Sequence, residues 1–212
     1  MISPERLDLM QRGWVGLLRP FGVEPAAAYP PFDRLAAAHA EPHRHYHTLE
    51  HVGEVLRVAG RLGGGPAVSL AAWFHDAVYD PKAHDNEARS AELAERELTT
   101  LGLPADVVAK VADLVRSTAH FASESFHGSD FDTLHDADLA ILAAAEPRYR
   151  RYADDVRREY VWVPEADYRA GRTKVLEAFL ARERIFRTPV MFEDGEEAAR
   201  RNLRAEVERL AG

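Results

Sequence analysis

At 212 residues, with 46% hydrophobic and 29% charged side chains, the chain has the size and composition of one folded globular domain. A formal net charge of -8 without blocks of like charge excludes an extended nucleic-acid interface, which needs clustered lysine and arginine, yet leaves room for a small phosphorylated substrate beside a bound cation. There is no cysteine, so disulfides, thiolate zinc sites and cysteine nucleophiles are excluded, and any metal must be held by nitrogen and oxygen.

The start, MISPERLDLMQRGW, has neither the basic lead nor the apolar run of a signal peptide, and no stretch approaches a membrane span; a cytoplasmic protein is expected. A first helix is predicted from the N-cap Ser3, with Pro4 at its first position, to about Arg19. Pro20, Pro25, Pro30 and Pro31 then break the chain before a short helix near 32–40. In HTLEHVGEVLRVAGRLGGG, the residues Leu49, Val52, Val55, Leu56, Ala59 and Leu62 follow three-and-four spacing until three glycines stop the helix. Pro66 opens AVSLAAWFHDAVY, apolar on nearly every face and therefore a buried helix. Further helices are predicted over about 86–101, 105–121, 131–145, 148–161, 165–186 and 194–210, with Pro104, Pro147 and Pro164 at three of the starts. No alternating strand pattern and no repeat occur. The expected fold is all-α, one domain over 1–212 of eight to ten helices, with a motif-bearing core at about 40–145 and helices 148–212 packed on it.

The histidines are the chemically telling residues. Ten are present, and five of them fall in HAEPHRHYHTLEH. Residues 39, 43, 84 and 127 lie in polar, turn-like surroundings and read as surface or hydrogen-bonded histidines. His51 instead lies on or beside the apolar face of its helix. His75 and Asp76 stand together in WFHDAVYD, inside the most apolar helix. TLHDADLAILAAA then sets Asp136 and Asp138 into a third apolar helix. Burying a single ionisable side chain costs several kcal/mol unless it is paired or bound to a metal. One such residue has an ordinary explanation as a satisfied core polar group. Several, on three buried helices, are explained together by one divalent cation held by two imidazoles and two carboxylates. Such a ligand set suits Mn, Fe, Co, Ni or Zn, with Mg also admissible. Neighbours on a helix diverge by about 100°, so His75 and Asp76 can share an ion only if it lies against that helix's side, which leaves positions for water.

His51, then His75-Asp76, then Asp138 resembles the H…HD…D signature of the HD superfamily of metal-dependent phosphohydrolases. The wider set RHYHTLEHV, FHDAVYD, NEARSA, LHDADLAIL and IFRTPVMFEDGEEAARRNL is similar to a branch of predicted HD phosphohydrolases, from about residue 40 to the C-terminus. The resemblance implies a helical metal site with His51, His75, Asp76 and Asp138 as ligands. It also implies hydrolysis of a small phosphate ester, a nucleotide-like phosphomonoester or phosphodiester, by metal-activated water. It does not name the substrate. His47 competes with His51 for the first position and Asp136 with Asp138 for the last; His51 and Asp138 are favoured, with His47 lining the pocket.

Helpers for such chemistry are Asp76, Glu87 and His47 as proton-handling residues, with Arg44 and His120 as phosphate-binding ones; His135 is a further candidate. Glu87 also reads as an ordinary first-turn acid, and Arg44 as a surface arginine. Two other functions remain open: a helical module that binds a metal or ligand without turnover, and a di-iron oxygenase in which His120 and His135 help hold a second ion. The arginine-rich C-terminal helices fit packing on the core or on a second copy in a homodimer.

Overall fold

The computed structural model describes residues 2–120 and 128–212, the side chain of His120 excepted. Proline in the first turn, where its missing N–H is no loss, starts half of the helices. Ten α-helices follow in order: α1 Pro4–Leu18, α2 Pro25–Ala38, α3 Leu49–Arg61, α4 Pro66–Phe74, α5 Asn86–Thr100, α6 Ala105–Ser117, α7 Ser129–Leu139, α8 Glu146–Glu159, α9 Glu165–Leu180 and α10 Pro189–Ala211. Short 3-10 turns occupy Arg19–Phe21, Thr118–His120 and Ala140–Ala143, and the described residues contain no strand. No helix among them is long and apolar enough to cross a membrane.

Several elements depart from the sequence expectation, and α7 and α9 end at Leu139 and Leu180, short of the expected 145 and 186. Helix α2 begins at Pro25 and runs through Pro30 and Pro31. An interior proline costs about 3 kcal/mol of helix stability, but here the same turns bury Ala28, Pro31, Phe32 and Leu35. Helix α4 stops at Phe74 instead of continuing through the HD doublet. Helix α10 begins at Pro189, five residues before the predicted start, because Thr188 caps it by accepting the Met191 N–H at 3.3 Å.

Helix α4 is the centre of the core. Val68, Leu70, Ala71, Ala72, Trp73 and Phe74 are all buried, and α4 packs against α3, α5, α6 and α7. Trp73 sits edge-on between Trp14 of α1 and Phe32 of α2, at 5.5 and 5.8 Å between ring centroids. The buried Trp14 indole satisfies its N–H on the Ala28 carbonyl at 2.9 Å, as a buried aromatic donor must.

The turn between α3 and α4 sets the geometry of the site. Gly63 adopts φ +81°, a left-handed conformation open to glycine, and Gly64 N–H closes the helix end on the Ala59 carbonyl at 2.8 Å. A Cβ on Gly64 would lie 3.1 Å from Thr133 Cγ2 of α7. The three helices that carry the candidate ligands are therefore pressed together at one glycine turn.

Candidate metal centre

Helix α3 presents His51 one turn after its N-cap, Thr48, with the ring in contact with Tyr46 at 4.8 Å between centroids. His75 is the C-cap of α4: its N–H donates to Ala71 O and its Nδ1–H to Ala72 O, each at 2.9 Å. That second bond fixes the tautomer, leaving Nε2 as the ring's free lone pair. Because the helix ends here, Asp76 lies in a turn closed by Ala77 N–H on Phe74 O at 2.9 Å. The turn, not the side of a helix, is what folds the two neighbouring side chains toward one point. Asp138 comes from the last turn of α7.

The donor atoms converge. His51 Nε2 lies 3.0 Å from His75 Nε2, 2.9 Å from Asp138 Oδ1 and 3.5 Å from Asp76 Oδ2. His75 Nε2 lies 3.0 Å from Asp76 Oδ2 and 3.6 Å from Asp138 Oδ1. Two donors held about 2.1 Å from one ion, with about 90–110° between them, stand about 3.0–3.4 Å apart. The spacings among His51, His75 and Asp138 lie close to that requirement, and these three form the group whose donor atoms all fall within 4.8 Å of one another; Asp76 approaches the two imidazoles but is not one of that group. The imidazoles are at most 3% exposed, whereas the Asp76 and Asp138 side chains are 19% and 14% exposed. An ion here would have a protein side and a solvent side.

Electrostatics show what the cluster does to protons. Burial disfavours charge on His51 and His75, but the carboxylates of Asp138 and Asp76 outweigh it and raise both rings above their ordinary value. Burial pushes Asp76 and Asp138 upward as well, and the facing imidazoles carry both well below the usual carboxylate range. The site thus favours two negative charges against two positive ones, and a cation can replace the imidazole protons.

Asp136, two residues from Asp138, has no part in this. Fully buried, it accepts N–H bonds from Arg187 and Thr188, the Thr188 hydroxyl at 2.6 Å and His135 Nδ1–H at 2.8 Å. It ties α7 to the start of α10. His135 is bonded to Asp136 and is not in the donor group, and the side chain of His120, a phosphate-binding candidate in the sequence, lies outside the described residues. His127 lies outside them too.

His47 lies off the cluster. Its Nδ1–H donates to Glu159 Oε2 at 2.6 Å, and Glu159 Oε1 accepts the backbone N–H groups of His45, Tyr46 and His47 at 2.7–3.0 Å. Tyr79 O–H adds a further bond at 2.9 Å. This buried carboxylate at the end of α8 shapes the whole RHYH loop. Only its place on the apolar face of YADDVRREY marked it in the sequence.

Arg44 is placed differently from the phosphate-binding role expected of it. Its side chain is fully buried, and its guanidinium donates to the carbonyls of Asp76 at 2.6 Å, Ala77 at 3.1 Å and His47 at 3.2 Å. Three carbonyl bonds explain the burial; the residue staples the loop before α3 to the turn carrying the HD doublet and cannot reach a substrate. His39, expected among the surface or hydrogen-bonded histidines, is buried beside it and pushed down to about 3 by burial and by Arg44. Asn86 and Ser90 of NEARSA hold the far side of that turn, bonding Asp80 and Val78 backbone groups.

A polar mouth of about 680 Å³ opens over the cluster, lined by His47, Asp76, Glu87, Asp138, Tyr160 and Arg182 among others. Glu87, in the first turn of α5, is thus placed where it can exchange protons with a bound molecule. Arg182, which the sequence did not single out, lies over the Phe179 ring at 4.2 Å and, among the described residues, has no carboxylate partner. Burial and the nearby Arg187 both disfavour its charge, a cost that an anion in the mouth would offset.

Comparison of the chain with family models, with curated proteins and with solved structures yields no match.

Proposed function

We propose that the chain is a metal-dependent phosphohydrolase of the HD type, hydrolysing a small phosphate ester. One observation carries the reading: a nitrogen of His51, a nitrogen of His75 and an oxygen of Asp138 stand 2.9–3.6 Å apart, with Asp76 against both imidazoles and the two carboxylates lining an open mouth. The order His51, His75-Asp76, Asp138 and the resemblance it bears to that superfamily support the choice of reaction. Arg182, a cation without a carboxylate partner among the described residues, supports an anionic substrate.

Under this reading His51, His75, Asp76 and Asp138 hold one divalent ion. When bound, the ion lowers the pKa of a coordinated water toward neutrality and draws charge from the phosphoryl oxygens. Arg182, on the wall of the mouth, binds a phosphoryl oxygen and orients the ester. Asp76 takes the proton of the attacking water. Water oxygen bonds to phosphorus, the ester P–O bond breaks, and Glu87 gives the departing oxygen its proton. His47, fixed by Glu159, holds the wall between them.

Phenyl phosphate hydrolysis assayed with Mn, Co, Ni and Mg in turn should require a divalent ion. In His75→Ala it should fall by about 10³-fold or more while the helical circular dichroism is retained. Undiminished turnover in a folded His75→Ala chain refutes the assignment.

A further inference from the structure

Behind the polar mouth lies a second, separate space. A cavity of about 520 Å³ runs between α8, α9 and the 3-10 turn after α7, and its walls are chiefly apolar and aromatic: Leu142, Tyr152, Val156, Tyr168, Val175 and Phe179. It shares Asp138, His47, Tyr160, Val175 and Phe179 with the mouth, so the two spaces adjoin at the donor cluster. Its size is that of a small-molecule pocket.

Two of the polar side chains on its walls are already engaged. Arg172 donates to Glu206 at 2.8 Å and to the Tyr152 hydroxyl at 3.2 Å. His47 is bonded to Glu159. The hydroxyls of Tyr46, Tyr160 and Tyr168 and the carboxylate of Asp167 stand on the same walls, but the lining is chiefly apolar, which suits a ring face better than the hydrogen-bonding edge of a nucleobase. What the walls do offer is ring faces and aliphatic surface. Val175, 48% exposed at the lip, is a large hydrophobic side chain left in water where the two spaces meet.

We propose that this cavity takes the leaving group of the substrate and that the leaving group is apolar and ring-shaped, so that the preferred substrates are aryl phosphate monoesters. This rests on the phosphohydrolase reading for the reaction but not for the binding. The phosphate lies in the mouth between the donor cluster and Arg182, and the ring enters the cavity past Val175 and Phe179. On hydrolysis the P–O bond to the ring breaks, the phenolic oxygen takes a proton, and the phenol is left in an apolar space.

Gly171 of α9 provides the test. It lines the cavity and a Cβ there meets nothing within 4 Å, so a tryptophan at this position is built into open space at the rim. Phenyl and 2-naphthyl phosphate have leaving groups of similar acidity but differ by one apolar ring. The expected result is a kcat/KM about tenfold higher for the naphthyl ester, the extra ring being removed from water. That preference should collapse in Gly171→Trp and Val175→Trp. Direct binding of 2-naphthol, read by its fluorescence with Mn present and absent, should weaken in the same two variants.

Equal rates for the two esters, a preference that survives both tryptophans, or nucleoside monophosphates exceeding the naphthyl ester would each overturn the proposal; metal-dependent turnover of phenyl phosphate would still uphold the reaction. Absence of all turnover, with naphthol binding lost in the variants, would remove the reaction and keep an aryl-binding cavity. Naphthol that fails to bind removes the cavity's role whatever the kinetics show.

Discussion

Two carboxylates on one helix, Asp136 and Asp138, stand in opposite environments. Around Asp136 everything donates: two backbone N–H groups, a hydroxyl and an imidazole N–H. Around Asp138 the neighbours are the nitrogens of two imidazoles, which Asp76 also approaches. The first arrangement is complete in itself and joins α7 to α10. The second gathers lone pairs with too few protons between them, and is complete only with protons or a cation added. What distinguishes the two acids is therefore the company of donors or of imidazole nitrogens, together with an Asp138 side chain 14% exposed where Asp136 is fully buried.

The sharpest way to break that contrast is to neutralise each acid in turn. Asp138→Asn should cost about 10³-fold in metal-dependent turnover and strip the chain of bound metal. Its unfolding free energy in chelator should move by only about 1–2 kcal/mol. Asp136→Asn should do the reverse, turning an amide NH₂ against existing donors and losing about 3 kcal/mol or more of stability, with metal stoichiometry kept in the folded fraction. Denaturant titrations beside elemental analysis give both numbers. Equal stability losses would erase the distinction.

Glu159 belongs with Asp136, since it too faces only donors, and pH can sharpen the comparison. Burial raises its carboxyl, but His47 and the loop N–H groups outweigh burial and bring it down from an ordinary 4.5 to about 2. A depressed carboxyl contributes stability that is fully present above its unfolded value and lost as pH falls through its folded one. Between pH 4.5 and about 2 the chain should lose up to about 3 kcal/mol on this account. Glu159→Gln should flatten that part of the stability curve, measured by thermal melts across the range. An unchanged acid limb would place Glu159 elsewhere in the energetics.

The smallest effect concerns Arg182, the arginine among the described residues that line the mouth. Arg182→Ala should lower kcat/KM for phenyl phosphate by about tenfold, mainly through KM, with metal affinity unaltered. Unchanged kinetics would mean that the acceptor cluster handles the phosphate alone.

Much of the fold was legible because its signals are local. Pro4, Pro66, Pro104, Pro147 and Pro164 mark helix starts, Gly63 marks a stop, and the apolar spacing of α3 holds in the structure. The misses have one cause, which is that tertiary burial overrides local preference. Helix α2 keeps two interior prolines because Phe32 and Leu35 are buried in the core. The end of α4 at Phe74 is invisible in an unbroken apolar run, although it is what turns Asp76 toward His75. In the candidate site, His51, His75, Asp76 and Asp138 stood out as polar residues in apolar segments; the structure gathers donor atoms of His51, His75 and Asp138 into one group, with Asp76 beside the two imidazoles. Arg44, Glu159 and Arg182 act through contacts with residues far along the chain, and spacing carries no trace of such contacts. Asp136 and Asp138 look alike in the string LHDADL; only the donors supplied by Arg187 and Thr188 separate them.

The wedge of Gly64 against Thr133 has a consequence for how this chain holds itself together. The donors at 51, 75 and 138 belong to segments that meet only after long stretches of chain have been closed into loops. A cation bridging them would act as a detachable rivet in a polypeptide that has no sulfur cross-links. Under the proposed assignment, bound metal would then add to the stability of the folded chain as well as supply its chemistry.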